Sequence, residues 1–301
     1  MSIQVEQFTA IDVLMRRLDE LALGDGARTV VFRGHKSESY RLMSTWQRYS
    51  TATPPEAGQT EIDQILEQYT VGLEKLGILN FNYESRFEAL EHGRHHGVPT
   101  PCLDFSYSPY VALFFAFDGT RYTRENPENS VIYALDVTAL ASAETRKRVR
   151  PHASPEDYAT AYNEFLNCRA DYFDGGFRPN VVQFIPYPGK RNTRMQRQFG
   201  CFLYESLNYK LMNLSDFEAY LDQLKEVPIA GVGSTGPILR KLLVAQDLVS
   251  QVFPRLELMS INGGTLYGDA DGVARDVINS YNYNPKFSYL RDVRIPPPLA
   301  T

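Results

Sequence analysis

The sequence has no long uninterrupted apolar run, few cysteines and no excess of basic residues, and each shortage excludes a class of protein. No apolar run approaches the roughly 20 residues of a membrane-spanning helix, and the N-terminus lacks the basic and apolar regions of a secretory signal. Membrane insertion and secretion are therefore not expected. Cys102, Cys168 and Cys201 are odd in number and show no metal-ligand spacing, which favours a reducing cytoplasm. The net charge of −5 argues against tight non-specific binding to nucleic acid.

The composition is that of an ordinary globular chain. With 43% hydrophobic and 22% charged residues, 301 residues suffice for one large domain or two small ones. Short strands scattered among helices predict an α+β fold with a single mixed sheet. The predicted organisation is an N-terminal helix (1–26), a main domain (27–260) with a helical insertion (121–180), and a C-terminal helix with a proline-rich tail (261–301).

Hydrophobic periodicity and capping residues locate the elements. An amphipathic helix is predicted at 9–23 with Thr9 as its cap, and a buried helix begins at Pro109 with Ser108 as its cap. Arg33-Gly34 is predicted to end a strand that begins at Thr29. The other predicted helices cover 61–77, 83–94, 154–170, 215–224 and 238–248, and the other predicted strands cover 131–137, 181–185 and 201–205.

Polar residues concentrate in 95–108, directly before the apolar helix, and this density beside apolar residues is typical of a cleft rim. A strand-end guanidinium binds phosphate bidentately, so Arg33 predicts a phosphorylated ligand, and Gly34 would let that ligand approach. The alternative is a structural Arg33 held by Asp104 or a backbone carbonyl. Asp104, after Leu103 at a predicted strand end, has three alternatives: it orients a histidine, pairs with Arg33 or caps a turn.

His95 and His96 are consecutive, so in an extended segment their rings would point to opposite faces. We expect His96, beside Gly97, to enter the cleft and donate to a ligand or shuttle a proton. No cysteine stands at zinc-ligand spacing from these histidines, so no metal site is expected. Arg191, Arg194 and Arg197 form a basic turn that is either solvated or a local patch for nucleic acid.

Three motifs carry a resemblance to the FRG domain family. Phe32-Arg33-Gly34 is followed by His95-His96-Gly97-Val98-Pro99-Thr100 with Leu103-Asp104, and later by Gln198-Phe199-Gly200-Cys201-Phe202. The resemblance runs from about residue 27 to 256, and the middle motif is the most specific. It implies that the main domain is an FRG domain.

A more distant resemblance is to the arginine-class ADP-ribosyltransferases. Arg33-Gly34 is similar to their first element, Ser106-Tyr107-Ser108 running into Ala112 and Phe115 to their second, and Gln196-Arg197-Gln198 to their third. The resemblance implies an NAD ligand. Arg33 and Gly34 would receive the pyrophosphate and Ser106 or Ser108 the ribose, while Phe32, Tyr107 or Tyr110 would stack on the nicotinamide. The NAD-binding set implied in this way is Arg33, Gly34, His95, Ser106, Ser108 and Tyr110, and the catalytic set is Asp104, Gln198 and His96.

Gln198 departs from the transferase pattern, which has a glutamate at this place. An amide neither carries the negative charge that stabilises an oxocarbenium ion nor acts as a general base. Three alternatives follow: Asp104 or, less favourably, Glu205 supplies the charge; turnover is slow or uses an unusual acceptor; or the pocket binds a nucleotide without consuming it.

The resemblances imply a cytoplasmic protein that consumes or senses NAD as a toxin or anti-phage defence effector. Its activity would be that of an ADP-ribosyltransferase or NAD glycohydrolase, with a protein or nucleic-acid acceptor and no membrane partner. The alternative is a non-catalytic recognition module that binds a nucleotide, nucleic acid or protein through the same cleft.

Overall fold

A computed structural model of the chain describes residues 3–24, 26, 28–49, 58–78, 86–120, 128–149, 153–168, 182–186, 193–205, 217–224 and 236–283. Seven strands of these residues form one sheet. They are β1 (Ile3–Phe8), β2 (Val30–His35), β3 (Cys102–Ser106), β4 (Asn129–Asp136), β5 (Val182–Ile185), β6 (Gly200–Glu205) and β7 (Leu239–Ala245). The strand order is β1-β7-β4-β2-β3-β6-β5. Only β1 and β7 pair in parallel, so the predicted mixed sheet is confirmed.

Helices surround the sheet. They are α1 (Ile11–Leu23), α2 (Thr45–Tyr49), α3 (Gly58–Lys75), α4 (Arg86–His95), α5 (Pro109–Phe117), α6 (Val137–Arg148), α7 (Pro155–Leu166), α8 (Thr193–Arg197), α9 (Phe217–Asp222), α10 (Val249–Leu258), α11 (Gly263–Tyr267) and α12 (Ala270–Tyr283). One apolar cluster joins α1, α5 and α10 to the sheet, and another joins α6, α7 and α9 to it. A third lies where α2, α3 and α4 meet β3, β5 and β6, around the buried Trp46. None of the described helices combines the length and apolarity needed to cross a membrane.

The helix predicted at 238–248 is wrong, because this segment forms β7. Leu239, Leu242 and Leu243 carry the spacing of a helical face, but the segment pairs with β4 on one side and β1 on the other. β1 was not predicted, although it occupies six residues before α1. Sheet pairing therefore overrode local periodicity. The expected insertion at 121–180 contains the sheet strand β4 as well as α6 and α7.

Capping residues predicted the start of α5 correctly. Ser108 caps α5, its hydroxyl accepts from the Val111 N–H, and Pro109 opens the helix as predicted. The predicted cap of α1 is wrong, because Ala10 is the cap and makes no side-chain capping bond. The first two residues of the helix predicted at 215–224 and the proline-rich tail lie outside the described residues.

The backbones of β2 and α5 approach each other closely at Gly34. A Cβ on Gly34 would lie 2.0 Å from the Ala112 carbonyl oxygen and 2.6 Å from the Ala116 nitrogen, both backbone atoms of α5. Only glycine therefore lets the buried helix cross the strand this closely.

The middle of the sheet is split. β2 pairs with β4 along six residues, from Val30 to His35, but with β3 through Phe32 and Ser106 alone. Beyond this single pair β2 continues beside β4 and β3 continues beside β6. The separation leaves an opening between the two central strands.

Candidate functional site

A cavity of about 390 Å³ occupies the opening between β2 and β3. Residues of both strands line the cavity, together with residues of α5, α8, α11 and α12. Arg33, Gly34, Asp104, Ser106 and Gln198 are all among the lining residues, although they are far apart in the sequence. Residues of all three sequence motifs therefore meet at one site.

Arg33 bridges the split. It lies inside the central strand β2, so the predicted position at a strand end is wrong. Its Nε donates to His35 Nε2 at 2.9 Å, and its Nη1 donates to the Asp104 carbonyl oxygen at 2.7 Å. Burial lowers the pKa of Arg33 to about 10, which leaves the group charged at neutral pH. Two of its five N–H groups donate to protein groups, and the side chain lines the cavity.

His35 holds Arg33 and was not predicted. Its Nδ1 lies 3.4 Å from the Tyr40 carbonyl oxygen, and its ring packs edge-on against Tyr133 with centroids 5.1 Å apart. Burial, and then the Arg33 charge, lower the pKa of His35 to about 3. The imidazole is therefore neutral, with Nε2 free to accept from Arg33. The sequence could have indicated His35, because it stands two residues after Arg33 and so lies on the same face of the strand.

Asp104 lies in the middle of β3, so the predicted strand-end position and turn-cap alternative are wrong. Its two carboxylate oxygens accept from Arg94 Nε and Nη2, each at 2.5 Å. Burial acts to raise the pKa of the Asp104 carboxyl, but the Arg94 charge and hydrogen bonds outweigh it and lower the pKa. Arg33 Nη1 lies 3.9 Å from Oδ2 of the same carboxylate. The carboxylate is therefore ionised, with Arg94 as its main partner.

The side chains of Ser106 and Gln198 form hydrogen bonds with other groups of the protein. The Ser106 hydroxyl donates to the Gln198 carbonyl oxygen at 2.7 Å and accepts from the Ser108 N–H at 3.0 Å. The Gln198 amide donates to the Leu266 carbonyl oxygen at 3.2 Å, and its side chain is buried. These bonds tie β3 to the turn before β6 and to α11.

The structure places the two motif histidines and Tyr110 outside the cavity lining. His95 is the last residue of α4, so the opposite orientation expected of two rings in an extended segment does not apply. His95 is close enough to lower the pKa of Asp104, whereas His96 is exposed and packs beside His92, with centroids 4.7 Å apart. The Tyr110 hydroxyl donates to Asp19 on α1.

Several cationic and aromatic residues of the cavity were not predicted. The Arg194 guanidinium lies 4.2 Å from the centroid of the Tyr267 ring. Arg275 donates to Asp118 at 3.0 Å. Among the described residues, the charged and aromatic lining residues that were not predicted are His35, Lys36, Tyr40, Arg48, Phe105, Asp118, Arg194, Tyr267 and Arg275. Arg194 was noticed only as part of a basic turn, and nothing in the sequence links it to the C-terminal helices.

Among the described residues no group of three or more His, Cys, Asp or Glu side chains is arranged to hold a metal ion. Cys102 and Cys201 are buried and Cys168 is half-buried, and none of the three forms a disulfide. The site is therefore built from guanidinium, ammonium, carboxylate, amide and aromatic groups. Such groups recognise anions and flat ring systems.

The model of the FRG domain family matches residues 28–125 of the chain. The resemblance to this family is thereby confirmed over β2, α2, α3, α4, β3 and α5, which contain Arg33, Arg94 and Asp104. Searches of curated proteins and of solved structures find no match to the chain. Gln198, Arg194, Tyr267 and Arg275, which complete the cavity, come from outside the matched residues.

Proposed function

We propose that the cavity binds a phosphate-bearing nucleotide, with NAD as the expected ligand. The observation that carries the proposal is the charge of the lining. Five cationic side chains line the cavity against two carboxylates, in a chain whose net charge is −5. The cations are Arg33, Lys36, Arg48, Arg194 and Arg275.

The two carboxylates do not pair with Lys36 or Arg48, although Asp104 also lies 3.9 Å from Arg33. Asp104 is held by Arg94, which lies behind the lining, and Asp118 is held by Arg275. Lys36 and Arg48 have no ion-pair or hydrogen-bond partner for their side-chain cations among the described residues. Converging like charges repel one another, and a bound phosphate would relieve this repulsion.

The aromatic part of the lining favours a nucleotide over a small inorganic anion. Phe115, Tyr40 and Tyr267 contribute to the same cavity as the cations. Ligand pockets combine apolar and aromatic walls with a few charged groups that fix the orientation. A volume of about 390 Å³ lies within the range of such pockets.

The state of Asp104 and Gln198 favours recognition of the nucleotide over its consumption. A transferase needs a carboxylate whose charge faces the developing oxocarbenium ion. The charge of Asp104 is compensated by two bonds from Arg94, and the amide of Gln198 donates to Leu266. The second candidate, an ADP-ribosyltransferase or NAD glycohydrolase, rests on the resemblance and on the presence of Arg33, Ser106 and Gln198 at one cavity.

Arg48 is the sharpest test of binding, because its side chain is exposed at the cavity and its loss leaves no buried partner. We expect wild-type protein to bind NAD with one site per chain in a calorimetric titration. Arg48→Gln should weaken the affinity about tenfold, as expected for one charged hydrogen bond. Arg16→Gln is the matched control, because Arg16 is exposed on α1 and does not line the cavity. Absence of NAD, ADP and ATP binding by wild type would refute the proposal.

Nicotinamide release by wild-type protein separates recognition from consumption. No release from NAD, with or without cell lysate as a source of protein and nucleic-acid acceptors, is the result expected of a recognition module. Release would establish the second candidate. The setting as a toxin or anti-phage defence effector is proposed from the family resemblance alone, and growth arrest on expression in bacteria tests it.

A further inference from the structure

We propose that Arg33 and Arg48 receive one phosphate of the nucleotide and that Lys36 and Arg275 form a second, separate phosphate subsite. The inference rests on the proposed function and specifies its ligand. A nucleotide that fills both subsites carries a phosphomonoester in addition to its other phosphate or pyrophosphate.

The two subsites lie on opposite faces of β2. Arg33 and His35 share one face, since they are two residues apart and hydrogen-bonded to each other. Gly34 faces the opposite side, where its missing side chain lets α5 approach. Lys36 follows Gly34 by two residues and its ammonium group reaches the C-terminal end of α5. The split between β2 and β3 lets one cavity reach both faces.

Lys36 and Arg275 converge at Gly119. The Lys36 Nζ lies 3.4 Å, and the Arg275 Nη1 3.7 Å, from the position of a Cβ built on Gly119. The two cationic nitrogens are therefore no farther apart than the sum of these distances, about 7 Å. Gly119 has a φ of 68°, which favours glycine and leaves the space between the two cations free of a side chain.

Asp118 is the lining carboxylate beside this pair of cations, and it already pairs with Arg275. Asp118 is buried, accepts from Arg275 at 3.0 Å, and accepts from the Asn279 amide at 3.2 Å. Arg275 is thereby fixed beside Lys36, whose ammonium has no partner among the described residues. An oriented guanidinium next to an uncompensated ammonium is a site for a dianionic phosphate.

Two pairs of ligands test the subsite, each differing by one phosphomonoester. They are NADP against NAD, and adenosine 3′,5′-bisphosphate against AMP. We expect wild-type protein to bind the additional phosphate of at least one pair about tenfold more tightly. A preference in the first pair alone identifies a phosphorylated dinucleotide, and a preference in the second alone identifies a nucleoside bisphosphate.

Lys36→Met should abolish the preference, because it removes the ammonium expected to meet the additional phosphate, and it should weaken the binding of NAD and AMP less than that of their phosphorylated partners. Lys36→Arg should retain the preference. Lys75→Met is the matched control, because Lys75 is exposed at the end of α3 and away from the cavity. Equal affinities within both pairs, or a preference that survives Lys36→Met, would overturn this inference while the proposed function stands. Failure of all four ligands to bind would overturn both.

Discussion

Replacement of Gly34 by alanine tests whether the glycine of the Phe-Arg-Gly motif serves the fold or the ligand. The added Cβ would lie 2.0 Å from the Ala112 oxygen, whereas ordinary contacts begin at 3.4 Å. α5 or β2 would have to move by more than 1 Å, and both elements are packed in the core. Overpacking of a core costs about 1–3 kcal/mol, and a clash with backbone atoms lies at or above the upper end of that range. We therefore expect Gly34→Ala to lower the free energy of unfolding by about 3 kcal/mol or more.

Gly72→Ala is the matched control. Gly72 lies within α3, and a Cβ there would meet no atom within 4 Å. The same substitution should stabilise the protein by up to about 1 kcal/mol through helix propensity. Urea unfolding followed by the fluorescence of Trp46, the single and buried tryptophan, measures both variants. A Gly34→Ala protein of wild-type stability that binds NAD more weakly would refute the packing argument and assign the glycine to ligand approach.

Three further predictions concern side chains around the site and the core. Arg94→Ala leaves the Asp104 carboxylate without its main partner, but that side chain is 38% exposed, so thermal unfolding should show a loss of about 1–2 kcal/mol; a loss below about 0.5 kcal/mol would show that the pair matters little. Burial raises the pKa of Glu205 to about 7, so its ionisation should cost the native state about 3 kcal/mol as the pH rises from 4.5 to 7. Glu205→Gln should remove this decline in a pH series of unfolding free energies, and an unchanged decline would assign it to other groups. Tyr110→Phe loses only the bond to Asp19, so NAD affinity in a titration should stay within about twofold, and a larger loss would place Tyr110 at the ligand.

Local signals in the sequence were sufficient for several elements. Ser108-Pro109 and the apolar run after it predicted α5, because capping and first-turn preferences are set by neighbouring residues. The prediction of a helix in place of β7 was wrong. A strand that lies between two others is covered on both faces, so it needs apolar residues on both. Its leucines then resemble a helical face, and periodicity alone does not distinguish the two structures.

The same limit applies to the candidate site. Arg33 and Asp104 were found because they stand in motifs, and the structure places them at one cavity. Arg94 was missed because it belongs to a helix whose residues show no special spacing, and only the fold brings it onto Asp104. Arg194 and Arg275 are 81 positions apart in the numbering, and their guanidinium groups lie 4.2 Å and 6.0 Å from the centroid of the same Tyr267 ring. Contacts of this kind depend on tertiary structure and leave no local pattern.

The salt dependence of NAD binding, measured for wild-type protein and for the double variant Lys36→Met, Arg48→Gln, tests whether the cavity is a nucleotide site. The cations of the cavity predict saturable binding whose affinity falls as the salt concentration rises, because salt screens the attraction to the phosphates. The double variant, which lacks the two unpartnered cations, should bind more weakly and depend less on salt. Absence of binding, or an affinity that is independent of salt and equal in the two proteins, would contradict the claim that this cavity is a nucleotide site.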